Sequence, residues 1–182
     1  MIYYTEQGLY EQGDCCIAFG MFDGVHLAHQ KLLKSCAQYA KAQGLSSFAY
    51  TYTGLPMTKY QGKEIPLLCS QQERIVRIQR TGIQHIVIME FTSEYAHTSA
   101  EDFIARICQK RNVRAIFCGF DYHFGAFGKG STELLEKRAD QYGYRLFVMN
   151  EVLYHGEKIS STRIRNAIQQ GNYAEAKEML GL

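Results

Sequence analysis

The chain has only two prolines, Pro56 and Pro66, and both bound a single stretch, residues 53–67. That stretch is the longest irregular segment of the first half. Charge of one sign is also scarce. Twenty Lys and Arg against 18 Asp and Glu leave a net charge of +2, too little for a nucleic-acid surface. No apolar run approaches the roughly 20 residues that span a bilayer. The opening Met1-Ile2-Tyr3-Tyr4-Thr5-Glu6 has neither the basic nor the apolar region of a secretory signal. The six cysteines form no C-x-x-C pair. Their scatter argues against a zinc site or a disulfide framework and predicts reduced thiols in a cytoplasmic protein. There is no repeat, low-complexity tract or linker. A G-x-x-x-x-G-K-[ST] motif is absent, so this is not a P-loop enzyme. No G-x-G-x-x-G follows the first strand, which weakens a dinucleotide-binding reading.

What is present is an alternation. At 182 residues, 46% hydrophobic and 21% charged, the chain predicts one soluble domain with a full core. Apolar runs at 15–19, 47–52, 85–89, 114–118 and 144–149 read as five strands. Helices are predicted over 31–43, 70–80, 99–110, 131–142, 161–170 and 173–180. Ser70 with Glu73, and Ser99 with Asp102, fit the capping-box spacing. Strands alternating with helices imply an α/β fold, a parallel sheet covered on both faces. Ligands of such sheets bind beyond the carboxyl ends of the strands. The segments that matter are therefore the loops at 20–28, 53–67, 90–98, 119–130 and 150–160.

Three of these loops carry chemistry. The first reads Gly20-Met21-Phe22-Asp23-Gly24-Val25-His26-Leu27-Ala28-His29-Gln30. His26 and His29, three apart at a helix start, project from roughly one face. Free backbone N–H groups and a partial positive charge join them there, a setting suited to a phosphoryl group under attack. The second, residues 118–131, holds four glycines, four aromatics and one carboxylate, Asp121. Glycine allows close backbone approach to a ligand, and aromatic faces stack on planar rings. Asp121 suits a hydrogen bond from a bound ring, or an Asx turn. The third is Lys158-Ile159-Ser160-Ser161-Thr162-Arg163-Ile164-Arg165. Hydroxyls, N–H groups and guanidinium groups at one helix start suit a polyphosphate, beside ordinary N-capping.

In that order, and together with residues 91–103 and 159–181, these motifs cover nearly the whole chain. They resemble the adenylyltransferase module of the bacterial bifunctional riboflavin kinase/FAD synthetase family, within the nucleotidylyltransferases that carry H-x-G-H. The resemblance implies a Rossmann-like fold with a five-stranded parallel sheet, and a single domain over residues 1–182. It implies transfer of AMP from ATP to FMN, giving FAD and pyrophosphate by direct in-line attack. His26 and His29 would stabilise the α-phosphate and the leaving group. Asp121 would lie near the reacting phosphates and the flavin. Gly20, Phe22, Asp23 and Gly24 would line the ATP pocket. Ser160, Ser161, Thr162, Arg163 and Arg165 would hold the other phosphates. Pro56, Tyr122, His123 and Phe124, with Asp121, would border the FMN. Magnesium would arrive with ATP rather than at a dedicated protein site.

The chain departs from the family pattern at three places. Ala28 replaces the glycine of H-x-G-H, Gly54-Leu55-Pro56 keeps only the last proline of the flavin-side T-F-x-P-H-P loop, and His123 replaces the arginine of D-F-R-F-G. The sequence also stops at Gly181-Leu182, before the kinase domain of the bifunctional proteins, which implies a separate riboflavin kinase as the FMN source. These departures keep two alternatives open: a related transferase with another phosphorylated acceptor, and a non-catalytic nucleotide or flavin binder.

Overall fold

A computed structural model of the chain describes residues 1–4, 13–53, 65–108 and 112–182. Strand β1 is Ile2–Tyr3, and strand β2, Cys15–Phe19, is buried along its whole length. A central parallel strand between two helical layers must be so. After β2 come helix α1 (Leu27–Gln43), β3 (Ser46–Thr53), α2 (Gln71–Gln79) and β4 (His85–Glu90). A single turn, α3 (Ser93–Ala96), precedes α4 (Ala100–Cys108) and β5 (Val113–Gly119). Helix α5 (Thr132–Tyr142), β6 (Arg145–Met149) and the hairpin β7 (Leu153–Tyr154) and β8 (Glu157–Lys158) follow, then α6 (Ser161–Gln169) and α7 (Tyr173–Leu180).

The main sheet runs β1-β4-β3-β2-β5-β6 with every neighbouring pair parallel. The chain winds outward from β2 through β3 to β4, then returns to β5 on the other side of β2. The carboxyl ends of β2 and β5 thus flank the point where strand order reverses, the usual crevice of an open α/β sheet.

Side-chain alternation sorts the strands onto two cores. Ile17, Phe19, Phe48, Tyr50, Val87 and Ile116 pack against Phe103, Ile104 and Ile107 of α4 and Leu135 of α5. On the opposite face lie Cys16, Ala18, Ala49, Ala115 and Phe117, under Leu32, Leu33, Cys36 and Ala40 of α1 and Ile78 of α2. The face under α1 is mostly small residues, so this helix lies close to the sheet. A third, smaller core joins Ile164 and Ala167 of α6 to Ala176, Met179 and Leu180 of α7.

The α/β class and the five expected strands are all present, and the sheet has a sixth. Strand β1 is two residues long, too short to leave a periodic signal. It is held at the edge by backbone: the Met1 ammonium donates to the Gln84 carbonyl at 2.6 Å, and Ile86 N–H donates to the Met1 carbonyl at 2.9 Å. Helix α1 starts four residues before the expected 31, because His26 is its N-cap. The loops at 90–98 and 150–160 contain α3 and the β7–β8 hairpin. The Ser70–Glu73 capping box forms in full, and Ser99 Oγ accepts from Asp102 N–H at 3.0 Å. The last two residues of the helix expected over 99–110 lie outside the described residues. All six cysteines are buried free thiols.

Candidate active site

The turn after β2 is strained. Phe22 and Val25 sit at φ 51° and 47°, flanking Gly24 at 75°. Such backbone costs of order 1–3 kcal/mol for each non-glycine residue and persists only where surroundings over-determine it. They do so here. The Met21 carbonyl accepts from Thr51 Oγ1 at 2.9 Å and from Arg74 Nη1 at 3.1 Å. The Gly24 carbonyl accepts from Arg77 Nη1 at 2.9 Å. Asp23, only 2% exposed, accepts the Leu68 N–H at 3.0 Å and pairs with Arg165. Gly24 could not be larger, since a Cβ there would lie 3.0 Å from Leu68 and Leu180 side chains.

This turn delivers His26 to the N-terminus of α1. Its Nδ1 accepts from the His29 N–H at 3.5 Å, which leaves Nε2 to carry the proton of the neutral ring. The His26 and His29 rings stack, centroids 3.6 Å apart and planes within 15°. Burial foremost, then the Lys158 ammonium, brings His26 down to about 4, against the pull of the Asp121 carboxylate. Burial foremost, then His26, holds His29 well below its ordinary value. Both rings are therefore neutral at pH 7. His29 Nδ1 is buried and has no hydrogen-bond partner among the described residues. An unmet buried nitrogen costs roughly 1–3 kcal/mol. Two neutral imidazoles and the free N–H groups of a 17-residue helix form an anion-receptive corner at the strand-order reversal.

Across the crevice, the loop after β5 presents Asp121, which is exposed and ion-paired with Lys158 of β8. The Lys158 ammonium also lies 4.5 Å from the centre of the Phe120 ring. His123 is exposed, its Nδ1–H donating to the Asp121 carbonyl at 3.0 Å. Tyr122 is layered between Phe19 and Phe124, with centroids 5.7 and 5.5 Å away. Phe124 is buried and exchanges backbone hydrogen bonds with Gly130. Gly125, at φ 70°, rests on α4: a Cβ would lie 2.7 Å from the Ala100 backbone.

The third motif opens α6. Ser160 Oγ caps the helix by accepting from Arg163 N–H at 3.2 Å, and Ser161 Oγ donates to the Asp23 carbonyl at 3.1 Å. Thr162 is exposed. Arg165 Nε donates to the Pro66 carbonyl at 2.8 Å while its Nη2 pairs with Asp23. Arg163 turns the other way, to the Tyr154 and Glu157 carbonyls and to Glu175.

The fold thus gathers His26, His29, Asp23, Ser161, Arg165 and Asp121 around one crevice. Arg163 is engaged by the hairpin and α7, and Tyr122 and Phe124 by the aromatic core. Gly20 sits close over the Phe22 ring, 2.7 Å from where its own Cβ would be. Pro56, with Gly54 and Leu55, lies outside the described residues. Sequence reasoning missed Lys158, although it opens the quoted K-I-S-S-T-R-I-R run. It also missed Arg74 and Arg77, whose i, i+3 spacing places them on one face of α2. Among the described residues no group of three or more His, Cys, Asp or Glu converges on a metal position.

An open parallel sheet with an imidazole pair at the first helix start and a hydroxyl-bearing helix start beside it defines a nucleotidyltransferase-type α/β protein. A family model described as FAD synthetase matches residues 9–163. The chain belongs to that family. A putative bifunctional riboflavin kinase/FMN adenylyltransferase of Geobacillus thermodenitrificans is 32% identical over 180 residues, 99% of this chain and 96% of that protein. The bifunctional riboflavin kinase/FMN adenylyltransferase of Listeria monocytogenes is 30% identical over 167 residues, and that of Bacillus subtilis 32% over 174. Those alignments take in 91% and 94% of this chain but only 53% and 54% of the relatives, so the chain spans about half their length. Among solved structures, a macrolide-efflux protein from Streptococcus pneumoniae superposes over 100% of this chain and 59% of its own, with TM-score 0.85 and 28% identity. The pantoate-beta-alanine ligase of Francisella tularensis shares the fold at TM-score 0.60, over 96% of this chain and 77% of its own, with 10% identity.

Proposed function

We propose that this chain transfers AMP from ATP to FMN, forming FAD and pyrophosphate. The observation that carries the reading is the stacked, neutral His26–His29 pair at the start of α1, in a chain of the FAD synthetase family. An FMN phosphate oxygen attacks the α-phosphorus, and the bond to the bridging oxygen of the β-phosphate breaks. The electron pair leaves with pyrophosphate, and no covalent enzyme intermediate forms. Such transfers depend on positioning and on charge stabilisation. His26 Nε2–H and the His29 ring donate to the α-phosphate oxygens and the departing pyrophosphate. The Lys158 ammonium exchanges Asp121 for phosphate, and the N–H groups and hydroxyls at the start of α6 hold the β- and γ-phosphates. Gly20, Phe22, Asp23 and Gly24 shape the ATP side. Asp121, His123 and the aromatic loop face the flavin. Magnesium enters as part of the ATP complex. FMN comes from a riboflavin kinase, and both substrates are cytoplasmic; no helix among the described residues is long and apolar enough to cross a membrane.

The test is a magnesium-dependent assay with ATP and FMN that follows FAD by chromatography and pyrophosphate release in parallel. His29→Ala should lower turnover by about 10²–10³-fold, the usual loss for one preorganised donor, with the fold intact by circular dichroism. Folded wild-type protein that binds ATP yet forms no FAD would overturn the choice of acceptor.

A further inference from the structure

Helix α2 carries a buried arginine whose arrangement goes beyond holding the helix in place. Arg74 is 3% exposed and reaches two backbone carbonyls on different segments. Its Nη1 donates to Met21 at 3.1 Å and its Nη2 to Tyr52 at 2.8 Å. Both acceptors lie at the carboxyl edge of the sheet, one just past β2 and one near the end of β3. No carboxylate among the described residues forms an ion pair with Arg74. Burying a charge with no directly paired carboxylate is costly, and burial pushes the guanidinium pKa down, which Asp23 offsets only from a distance. A neutral donor would serve the carbonyls at less expense, so the retained charge calls for a second account.

That account lies four residues downstream of Met21. The Met21 carbonyl opens the turn whose last residue, Val25, hands the chain to His26 at φ 47°. The turn holds an unfavourable backbone, and it keeps this shape only while its carbonyls stay anchored. Met21 is anchored by Arg74 and Thr51, and Gly24 by Arg77. The ring of His26, and through stacking that of His29, is aimed by this turn. The guanidinium fork is the group that can bridge two carbonyls at once; a lysine ammonium is a point donor on a flexible stem.

We propose that Arg74 is a positioning residue for the transfer reaction: it acts through the 20–25 turn to set the His26–His29 pair, and its charge balances the phosphate the corner receives. This rests on the proposed role of the two histidines.

The experiment compares wild type, Arg74→Met, Arg74→Lys and His29→Ala with the double variant Arg74→Met/His29→Ala. Turnover, the KM for each substrate, and the imidazole proton and nitrogen resonances of His26 and His29 are measured, with thermal unfolding alongside. Arg74→Met should lower kcat about a hundredfold, the cost of misplacing a catalytic group by about an ångström. The KM for FMN should stay within about twofold, and both sets of ring resonances should shift. In the His29→Ala background the same change should cost little further, because residues acting as a unit are non-additive. Arg74→Lys, which keeps the charge but not the fork, should fall between wild type and Arg74→Met, and it serves alone if Arg74→Met does not fold. The proposal is overturned if the Arg74 variant turns over as wild type does. It is equally overturned if its loss adds in full to that of His29→Ala, as a merely structural staple would. If wild type forms no FAD, the choice of acceptor fails instead, and the imidazole spectra then decide on Arg74: unshifted rings overturn it.

Discussion

Replacing His26 by asparagine turns the electrostatics of the corner into a stability measurement that needs no substrate. The imidazole is 4% exposed, and burial, with the Lys158 ammonium second, brings its midpoint from 6.5 to about 4. In the unfolded chain the ring titrates near 6.5 and binds a proton that the fold refuses. Stability is therefore lost as pH falls below 6.5, and the loss continues until about pH 4, where the folded ring accepts its own proton. At about 1.4 kcal/mol per pH unit, the loss by pH 4 comes to about 3 kcal/mol. Asparagine keeps an N-cap acceptor but binds no proton. Urea unfolding of both proteins between pH 7.5 and 4 should show the wild type losing about 3 kcal/mol more than the variant. His29 and His85 are displaced in the same direction, and the carboxylates of Asp14, Glu73, Glu101 and Glu133 are held low. His85 and these carboxylates keep their causes in both proteins and cancel in the difference, as does the burial that dominates at His29; only the smaller part that His26 itself contributes to His29 is lost in the variant. Stability curves that stay parallel across this range would refute the claim that the fold excludes a proton from His26.

Three further outcomes follow from the same geometry. Gly125→Ala should lower stability by at least about 2 kcal/mol, because the new methyl group meets Ala100 backbone and φ is positive; an unchanged melting temperature would detach the loop from α4. Arg165→Ala should cost about 3 kcal/mol by leaving the buried Asp23 carboxylate without its partner. The same variant should raise the KM for ATP more than that for FMN, and equal rises would remove Arg165 from the polyphosphate side. Lys158→Met should raise the His26 midpoint, read by NMR titration, since the ammonium lowers it; a fall would contradict the placement of Lys158 beside the ring.

The sequence was most legible where one physical rule acts alone. Strands β2 to β6 and their helices follow from apolar runs, capping residues and glycine stops. The His26–His29 pair follows from three-residue spacing at a helix start, and the rings do stack. Legibility ended where tertiary partners decide. Strand β1 exists because Met1 pairs with Gln84 and Ile86, which no local pattern announces. Arg163 and Arg165 look equivalent at the head of α6, yet Arg165 meets a buried carboxylate and Arg163 a hairpin. Arg74 reads as one polar residue of an amphipathic helix until its target, a carbonyl 53 positions away, is in view.

The small residues beneath α1 carry a consequence for how this protein can change. Cys16, Ala18, Ala49 and Ala115 let the helix settle onto the sheet, and the helix start is where the imidazole pair sits. A single added methyl group at Ala18 or Ala49 would lift one end of α1 and carry the rings with it, without touching any residue of the crevice. Interior volume and reaction rate are therefore geared together. Variation in these alanines would tune the proposed reaction from inside the core by shifting the rings, while every residue that lines the crevice kept its identity.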